Sequence, residues 1–180
     1  MVSYVIGVDI GGTWIRIALA TEDGKLLQKH VLATPREGDR YTIANLIDSS
    51  VRTLFSDYIG DVKAVGIGTA GPLDLARGMV VGAPNIPIRI FELGKPLTES
   101  LKKPVVVAND CVAAVWGEKL FGLGKGKSNV VYITLSTGIG AGVVVNDILL
   151  LGKMGNAHEV GHMVVDVSGK MLCGCGGRGH

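Results

Sequence analysis

The sequence predicts an α/β protein whose mixed sheets are packed by helices and divided between two lobes. Three observations carry that prediction. Apolar runs and helical stretches follow one another in the order βββαβαβα, which suits neither a helix bundle nor a sandwich. The layout of residues 3–32 (strand, glycine loop, strand, polar turn, strand) recurs over residues 129–151, as two related lobes would require. Charged residues make up only 19% of the chain while 27 of its 180 residues are glycine, the balance expected of buried sheets joined by tight turns.

Each element follows from its local pattern. Residues 3–9 are an apolar run closed by Gly11-Gly12, residues 14–20 a second run closed by Glu22-Asp23-Gly24, and residues 25–32 a third with partial alternation. These read as an antiparallel meander. Over residues 40–58, Ile43, Leu46, Ile47, Val51, Leu54 and Phe55 recur at the three, four and seven spacing of an amphipathic helix. A strand at 62–68, a Pro/Gly-rich excursion at 71–87, a short helix at 96–102, a buried strand at 104–108 and a helix at 110–121 follow. The second copy has an apolar run at 129–135, a glycine-rich turn at 136–142, a run at 143–145, a turn at Asn146-Asp147 and a last run at 148–151. The lobes are then residues 1–110 and 111–180, the second with three strands and no covering helices, and so incomplete.

Composition narrows the function. A hydrophobic content of 47% is enough for a packed core, and a net charge of +2 without any Lys/Arg block argues against a nucleic-acid surface or a polybasic membrane anchor. The partner should be small. No basic segment precedes an apolar run at Met1, and the most apolar stretch, 130–151, is interrupted by Thr, Ser, glycines, Asn146 and Asp147, so neither a signal peptide nor a membrane span is expected. A cytoplasmic protein follows, with its three cysteines reduced.

Two glycine patterns are decoys. Gly66-Ile67-Gly68-Thr69-Ala70-Gly71 has dinucleotide-site spacing, but Pro72 and Leu73-Asp74-Leu75 follow it with no helical register to supply a helix N-terminus. Gly126-Lys127-Ser128 resembles the end of a P-loop, yet the glycine required five residues earlier is Phe121.

Two other loops are better placed. In VDIGGT, Asp9 ends a buried strand, Gly11 and Gly12 allow close backbone approach, and Thr13 adds a hydroxyl. Such a loop can hold phosphate oxygens while Asp9 binds Mg²⁺ directly or through water. LSTGIGAG at 135–142 offers the same kit, with Thr137 and Gly138 at its tip. Either loop alone also reads as an ordinary hairpin turn; two in matched positions point to a clamp on a nucleotide's phosphates. Between them, Asn109-Asp110 falls between a buried strand and a helix. Asp110 there suits a helix cap, and equally a general base that orients an attacking hydroxyl at the carboxyl end of a strand.

The end of the chain carries His162, Cys173, Cys175 and His180, in the pattern H-x10-C-x-C-x4-H. Thiolate and imidazole are preferred zinc ligands, and four fill a tetrahedral structural site. A Cys-x-Cys disulfide would be strained, and a free-thiol turn is the other reading. Glu159, three residues before His162, reads either as a surface carboxylate or as one held rigid beside a metal ligand. Cys111 reads as a core residue.

Taken together, VDIGGT, GIGTAGPLD, APNIP, VVVANDCVAAVWGE, LSTGIGAGVVV, EVGHMVVD and CGCGGRGH resemble, in this order and spacing, the motifs of the ROK family of sugar kinases and regulators. The resemblance covers essentially the whole chain. It implies the two-lobed actin/hexokinase/Hsp70-like (ribonuclease H-like) fold and an ATP- and Mg²⁺-dependent kinase acting on the 6-hydroxyl of a hexose, by default glucose. An N-acetylhexosamine kinase and a non-catalytic sugar-binding or regulatory protein are the alternatives; family repressors carry an N-terminal helix-turn-helix, for which a first strand at Ser3 leaves no room.

By the same resemblance Asp110 is the base. Gly71, Asn85, Asn109, Asp110, Glu159 and His162 hold the sugar. Asp9, Gly11, Gly12, Thr13, Thr137 and Gly138 hold the nucleotide and Mg²⁺. His162, Cys173, Cys175 and His180 hold a structural Zn²⁺, with His162 serving both zinc and sugar. His180 stands where the family usually has a third cysteine. Family members commonly form homodimers, and no nucleic-acid or membrane partner is implied. The family pattern continues past this chain, which reads as the front part of a longer kinase.

Overall fold

Alternation of large and small residues builds the first sheet. β1 (Tyr4–Ile10) buries Ile6, Val8 and Ile10 and turns Gly7 and Asp9 to the other face; β2 (Trp14–Thr21) buries Ile15, Ile17 and Leu19 in the same way. The two pair antiparallel with Asp9 opposite Arg16, and β2 pairs with β3 (Leu26–Ala33). The structure, a computed structural model, describes residues 3–136, 138–153, 155 and 157–180.

α1 (Thr42–Leu54) buries Ile43, Ala44, Ile47 and Val51, the expected stripe. At its start Asp39 Oδ1 accepts from the Tyr41 N–H at 2.8 Å while the Asp39 N–H donates to Thr42 Oγ1 at 2.9 Å. The Tyr41 N–H and the Thr42 hydroxyl hold the Asp39 carboxyl below its ordinary range. β4 (Val62–Thr69) lies parallel to β1, and β8 (Val105–Asn109) parallel to β4, giving the order β3-β2-β1-β4-β8. α2 (Gly94–Leu101) precedes β8 and buries Leu97 and Leu101. Arg52 joins the two helices, bonding Asp48 within α1 and the Ser100 carbonyl oxygen at 2.7 Å in α2. Ile17, Leu19, Ile47, Phe55, Val65 and Leu97 belong to one buried cluster.

Two expectations need correction. Residues 71–87 are not wholly irregular: β5 (Leu73–Asp74), β6 (Met79–Val81) and the unanticipated β7 (Ile90–Glu92) form a small antiparallel sheet. Strands of two or three residues are too short for alternation to show. The glycine-rich turn expected at 136–142 is largely strand, since β10 runs Ile139–Val145 and pairs with β9 (Val130–Leu135). Its glycines serve helix packing. A β-carbon at Gly140 would come within 2.8 Å of the Cys111 sulfur, and one at Gly142 would overlap the Cys111 carbonyl. α3 (Asp110–Phe121), which also buries Val112 and Val115, therefore covers this sheet where no covering helix was expected.

β11 (Ile148–Leu149) completes the order β11-β10-β9 after a two-residue turn in which Asn146 and Asp147 take φ of 51° and 64°, the left-handed pair of a tight hairpin. Lys119 of α3 reaches Asp147 at 2.6 Å and, with Ser128, draws its carboxyl below the usual range. The opposite side of β9 is bare: Val131, Ile133 and Leu135 are 60%, 58% and 78% exposed, in a strand whose alternate residues are sheltered. Residues 1–110 and 111–180 form two compact units. Among the described residues no helix is long and apolar enough to cross a membrane.

Candidate functional site

The first unit gathers its predicted site residues at one end of its sheet. β1, β4 and β8 are parallel, and Asp9, Gly68 and Ala108 are in register across them, so Asp9 and Ala108 stand two strand spacings apart, about 10 Å. Asn109 ends β8 and Asp110 opens α3 at that same carboxyl edge, where ligands of open α/β sheets bind. Thr69, at the end of β4, is fully buried and its hydroxyl points to the Ile10 carbonyl at 3.4 Å. Gly71 follows and joins Pro72 through a cis peptide.

The loop between β1 and β2 is held from both sides. The Gly11 N–H donates to the Trp14 carbonyl at 3.0 Å, and the buried Thr34 donates its hydroxyl to the Gly11 carbonyl at 2.7 Å and its N–H to the Thr13 carbonyl at 3.0 Å. Among the described residues no protein acceptor meets the N–H of Gly12 or Thr13, which leaves two donors at the loop tip. Gly12 lies so close to Asn85 that a β-carbon on it would overlap the Asn85 carbonyl oxygen. The expected phosphate loop and the expected sugar-contacting segment are thus in backbone contact. Asp9, about half exposed, pairs with Arg16 at 2.8 Å.

Sequence reasoning missed Thr34 and Arg16. Arg16 was open to discovery, being the only charged residue in WIRIALAT and opposite Asp9 once a hairpin is drawn. Thr34 offered no signal.

The second unit holds the remaining residues. The Ser136 N–H donates to the Gly138 carbonyl at 2.9 Å in the loop between β9 and β10. Thr137, the other expected tip residue, lies outside the described residues. A single 3₁₀ turn, Val160–His162, packs against β10: a β-carbon on Gly161 would overlap the Ile139 carbonyl oxygen. Glu159 Oε2 meets His162 Nδ1 at 3.1 Å, so the two expected sugar ligands of this unit are neighbours.

Of the four expected metal ligands the structure brings three together. Ligand atoms of His162, Cys175 and His180 lie within 4.8 Å of one another, and Cys175 Sγ is 3.3 Å from His180 Nε2. Zinc bonds of 2.0–2.3 Å in a tetrahedron separate ligand atoms by roughly 3.3–3.8 Å, so the donor set fits zinc in chemistry and scale. Cys173 stands beside the cluster rather than in it. Hydrogen bonds from the Cys175 N–H and side chain pull its thiol below the ordinary range, toward the thiolate a metal requires. The turn is fixed by Cys173 N–H to Gly177 carbonyl and Gly176 N–H to Cys173 carbonyl, both 2.9 Å.

The mixed five-stranded sheet of the first unit and the helix-covered three-stranded sheet of the second are those of the actin/hexokinase/Hsp70-like class of folds. The profile of the ROK family matches residues 5–179, and the chain belongs to that family. It is 47% identical over 176 residues to a glucokinase of Pyrobaculum calidifontis, covering 97% of this chain and 54% of that protein. Among solved structures it is similar to a ROK family glucokinase from Streptomyces griseus in complex with glucose and AMPPNP, with a TM-score of 0.82 and 42% identity over 98% of this chain and 55% of that one. A ROK hexokinase from Thermus thermophilus gives a TM-score of 0.84 at 36% identity, covering 98% of this chain and 58% of that one. The chain spans about half the length of the curated relatives it matches.

Proposed function

We propose that the chain supplies the sugar and phosphate segments of an ATP- and Mg²⁺-dependent hexose kinase that transfers the γ-phosphoryl group of ATP to the 6-hydroxyl of glucose. The observation that carries this reading is the strand register that sets Asp9 and Ala108 about 10 Å apart with Gly68 between, so that the following Asn109-Asp110 pair shares a carboxyl edge with Asp9, beside a loop whose Gly12 and Thr13 N–H groups meet no protein acceptor among the described residues. The names of the relatives at high identity support the same activity.

In this reading the Asp110 carboxylate accepts the proton of the 6-hydroxyl as its oxygen bonds to the γ-phosphorus and the bond to the β,γ-bridging oxygen breaks, releasing ADP. Positioning and charge neutralisation supply most of the rate, so a single base suffices. Asn85, Asn109, Glu159, His162 and backbone near Gly71 hold the sugar hydroxyls. The Gly11-Gly12-Thr13 loop takes phosphate oxygens in the first unit, and Thr137 with Gly138 do so in the second. Asp9 would hold Mg²⁺, which neutralises phosphate charge when bound. His162, Cys175 and His180, with Cys173 from the adjoining turn, would hold Zn²⁺, which stiffens the Glu159–His162 pair. We infer a cytoplasmic homodimer from the family.

The test is ADP release from Mg-ATP by the full chain across glucose, mannose, fructose, glucosamine and N-acetylglucosamine. Glucose should be used best. Asp110→Asn should lower kcat about a thousandfold or more while glucose binding changes little. Unchanged turnover in that variant would remove Asp110 as the base, and no turnover by the parent chain with any sugar would remove the kinase reading itself.

A further inference from the structure

Among the described residues the buried polar side chains are Thr34, Thr69 and His158, and Thr34 is the one whose bonds reach a loop with free donors. It stands just past β3, yet it directs both of its donors to the turn between β1 and β2. The hydroxyl donates to the Gly11 carbonyl at 2.7 Å and the N–H to the Thr13 carbonyl at 3.0 Å. Residues facing one another at the end of an antiparallel pair ordinarily exchange two backbone bonds. Here the Gly11 N–H reaches the Trp14 carbonyl, but among the described residues the return bond from the Trp14 N–H to the Gly11 carbonyl is not made, and the Thr34 hydroxyl takes its place.

Peptide geometry turns that substitution into an orientation. A trans peptide unit is planar, and its C=O and N–H point in opposite directions. Fixing the Gly11 carbonyl on the buried Thr34 therefore turns the Gly12 N–H away from the protein, and that N–H meets no protein acceptor among the described residues. The Thr13 carbonyl, held by the Thr34 N–H, fixes the far side of the same turn. Pro35, next in the chain, favours extended backbone at Thr34, so the anchor is itself stiff. Stability is a weaker reason for the hydroxyl, because its bond is only partly buried and valine has the same shape.

We propose that Thr34 is a positioning residue for phosphate binding: its hydroxyl presets the β1/β2 loop so that the Gly12 N–H already faces the place a nucleotide's phosphate oxygens would take. Donors fixed beforehand bind without a further cost of ordering, whereas donors on a loose glycine turn must first be ordered. The inference rests on the kinase reading for its substrate, but its own content is that a buried hydroxyl outside the loop sets the loop's affinity for phosphate.

The experiment compares the full chain with Thr34→Val, which keeps the shape and removes the donor, and Thr34→Ser, which keeps the donor. MgADP affinity is measured by calorimetry well below the thermal midpoint, the KM for ATP and for glucose by turnover, and folding by the midpoint itself. Thr34→Val should weaken MgADP and raise the KM for ATP about tenfold, with the KM for glucose within twofold of the parent, because Gly12 keeps the room it needs beside Asn85. Thr34→Ser should recover most of the lost affinity. MgADP affinity of Thr34→Val within twofold of the parent overturns the proposal, whether or not the midpoint falls, since that is the pattern of a purely structural hydroxyl. So does a serine variant as weak as the valine one, or ATP and glucose weakened alike. Should Thr34→Val not fold, Thr34→Cys, whose thiol is a weaker donor, is judged by the same thresholds. A parent chain that binds no ADP also overturns the proposal, whereas a parent that binds ADP but phosphorylates no hexose removes the kinase reading and leaves Thr34 to be judged on ADP alone.

Discussion

A methyl group on Gly12 would need the space filled by the Asn85 carbonyl oxygen. One carbon atom thus decides whether the proposed phosphate loop and the proposed sugar segment can lie together. Gly12→Ala should push the two apart and lower kcat/KM for ATP and for glucose in parallel, each by ten- to a hundredfold, since overpacking of this kind costs about 1–3 kcal/mol. Steady-state kinetics with each substrate varied checks it, and a change confined to ATP would mean that the contact does not link the two segments. VDIGGT announced Gly12 as a loop glycine, but not its neighbour, because Asn85 reaches it only through the chain's path across β4, β5 and β6. Asp9, Asn109 and Asp110 were legible from their places at strand ends. Arg16 was legible only through pairing, and Thr34, with no motif around it, not at all.

At the scale of elements, hydrophobic period identified nearly every long strand and helix, and failed where glycine carried two meanings. Residues 136–142 read as a turn because glycine favours turns, whereas Gly140 and Gly142 sit in β10 to admit the backbone of α3. The short sheet of β5, β6 and β7 escaped for want of length. The cysteine turn read as a metal motif from residue type and spacing; the structure groups His162, Cys175 and His180, with Cys173, expected as an equal ligand, outside that group. Replacing Cys173 and Cys175 together by Ser should take bound zinc from about one per chain to none by elemental analysis and weaken glucose binding several-fold, because Glu159 bonds to the ring of His162. Zinc loss with glucose affinity intact would separate the metal from the sugar pocket.

Across the whole molecule the two units differ in how much they bury. Residues 1–110 share one large cluster that includes Ile6, Ile17, Ile47, Phe55, Val65 and Phe91. Residues 111–180 bury Cys111, Val112, Val115, Ala141 and Val144 and leave Val131, Ile133 and Leu135 bare. The 180-residue chain should therefore lose structure in two steps in urea, the second unit first, and bind anilinonaphthalene sulfonate before the second step begins. A single transition seen alike by circular dichroism and fluorescence would contradict that. The difference itself was half legible: a second lobe read as three strands without covering helices pointed to a sheet short of cover, while the packing of α3 on β10 had to be seen.

The seating of Cys111 under Gly140 and Gly142 has a practical corollary. Its sulfur is shielded while Cys175 is open to solvent, so once zinc is stripped by a chelator a thiol reagent should mark the cysteine turn at once and Cys111 only when α3 lifts from β10. With Trp14 in one unit and Trp116 in the other, the molecule carries its own stopwatch: the delay before Cys111 is labelled times the opening of the second unit, and the two indoles tell which half has moved.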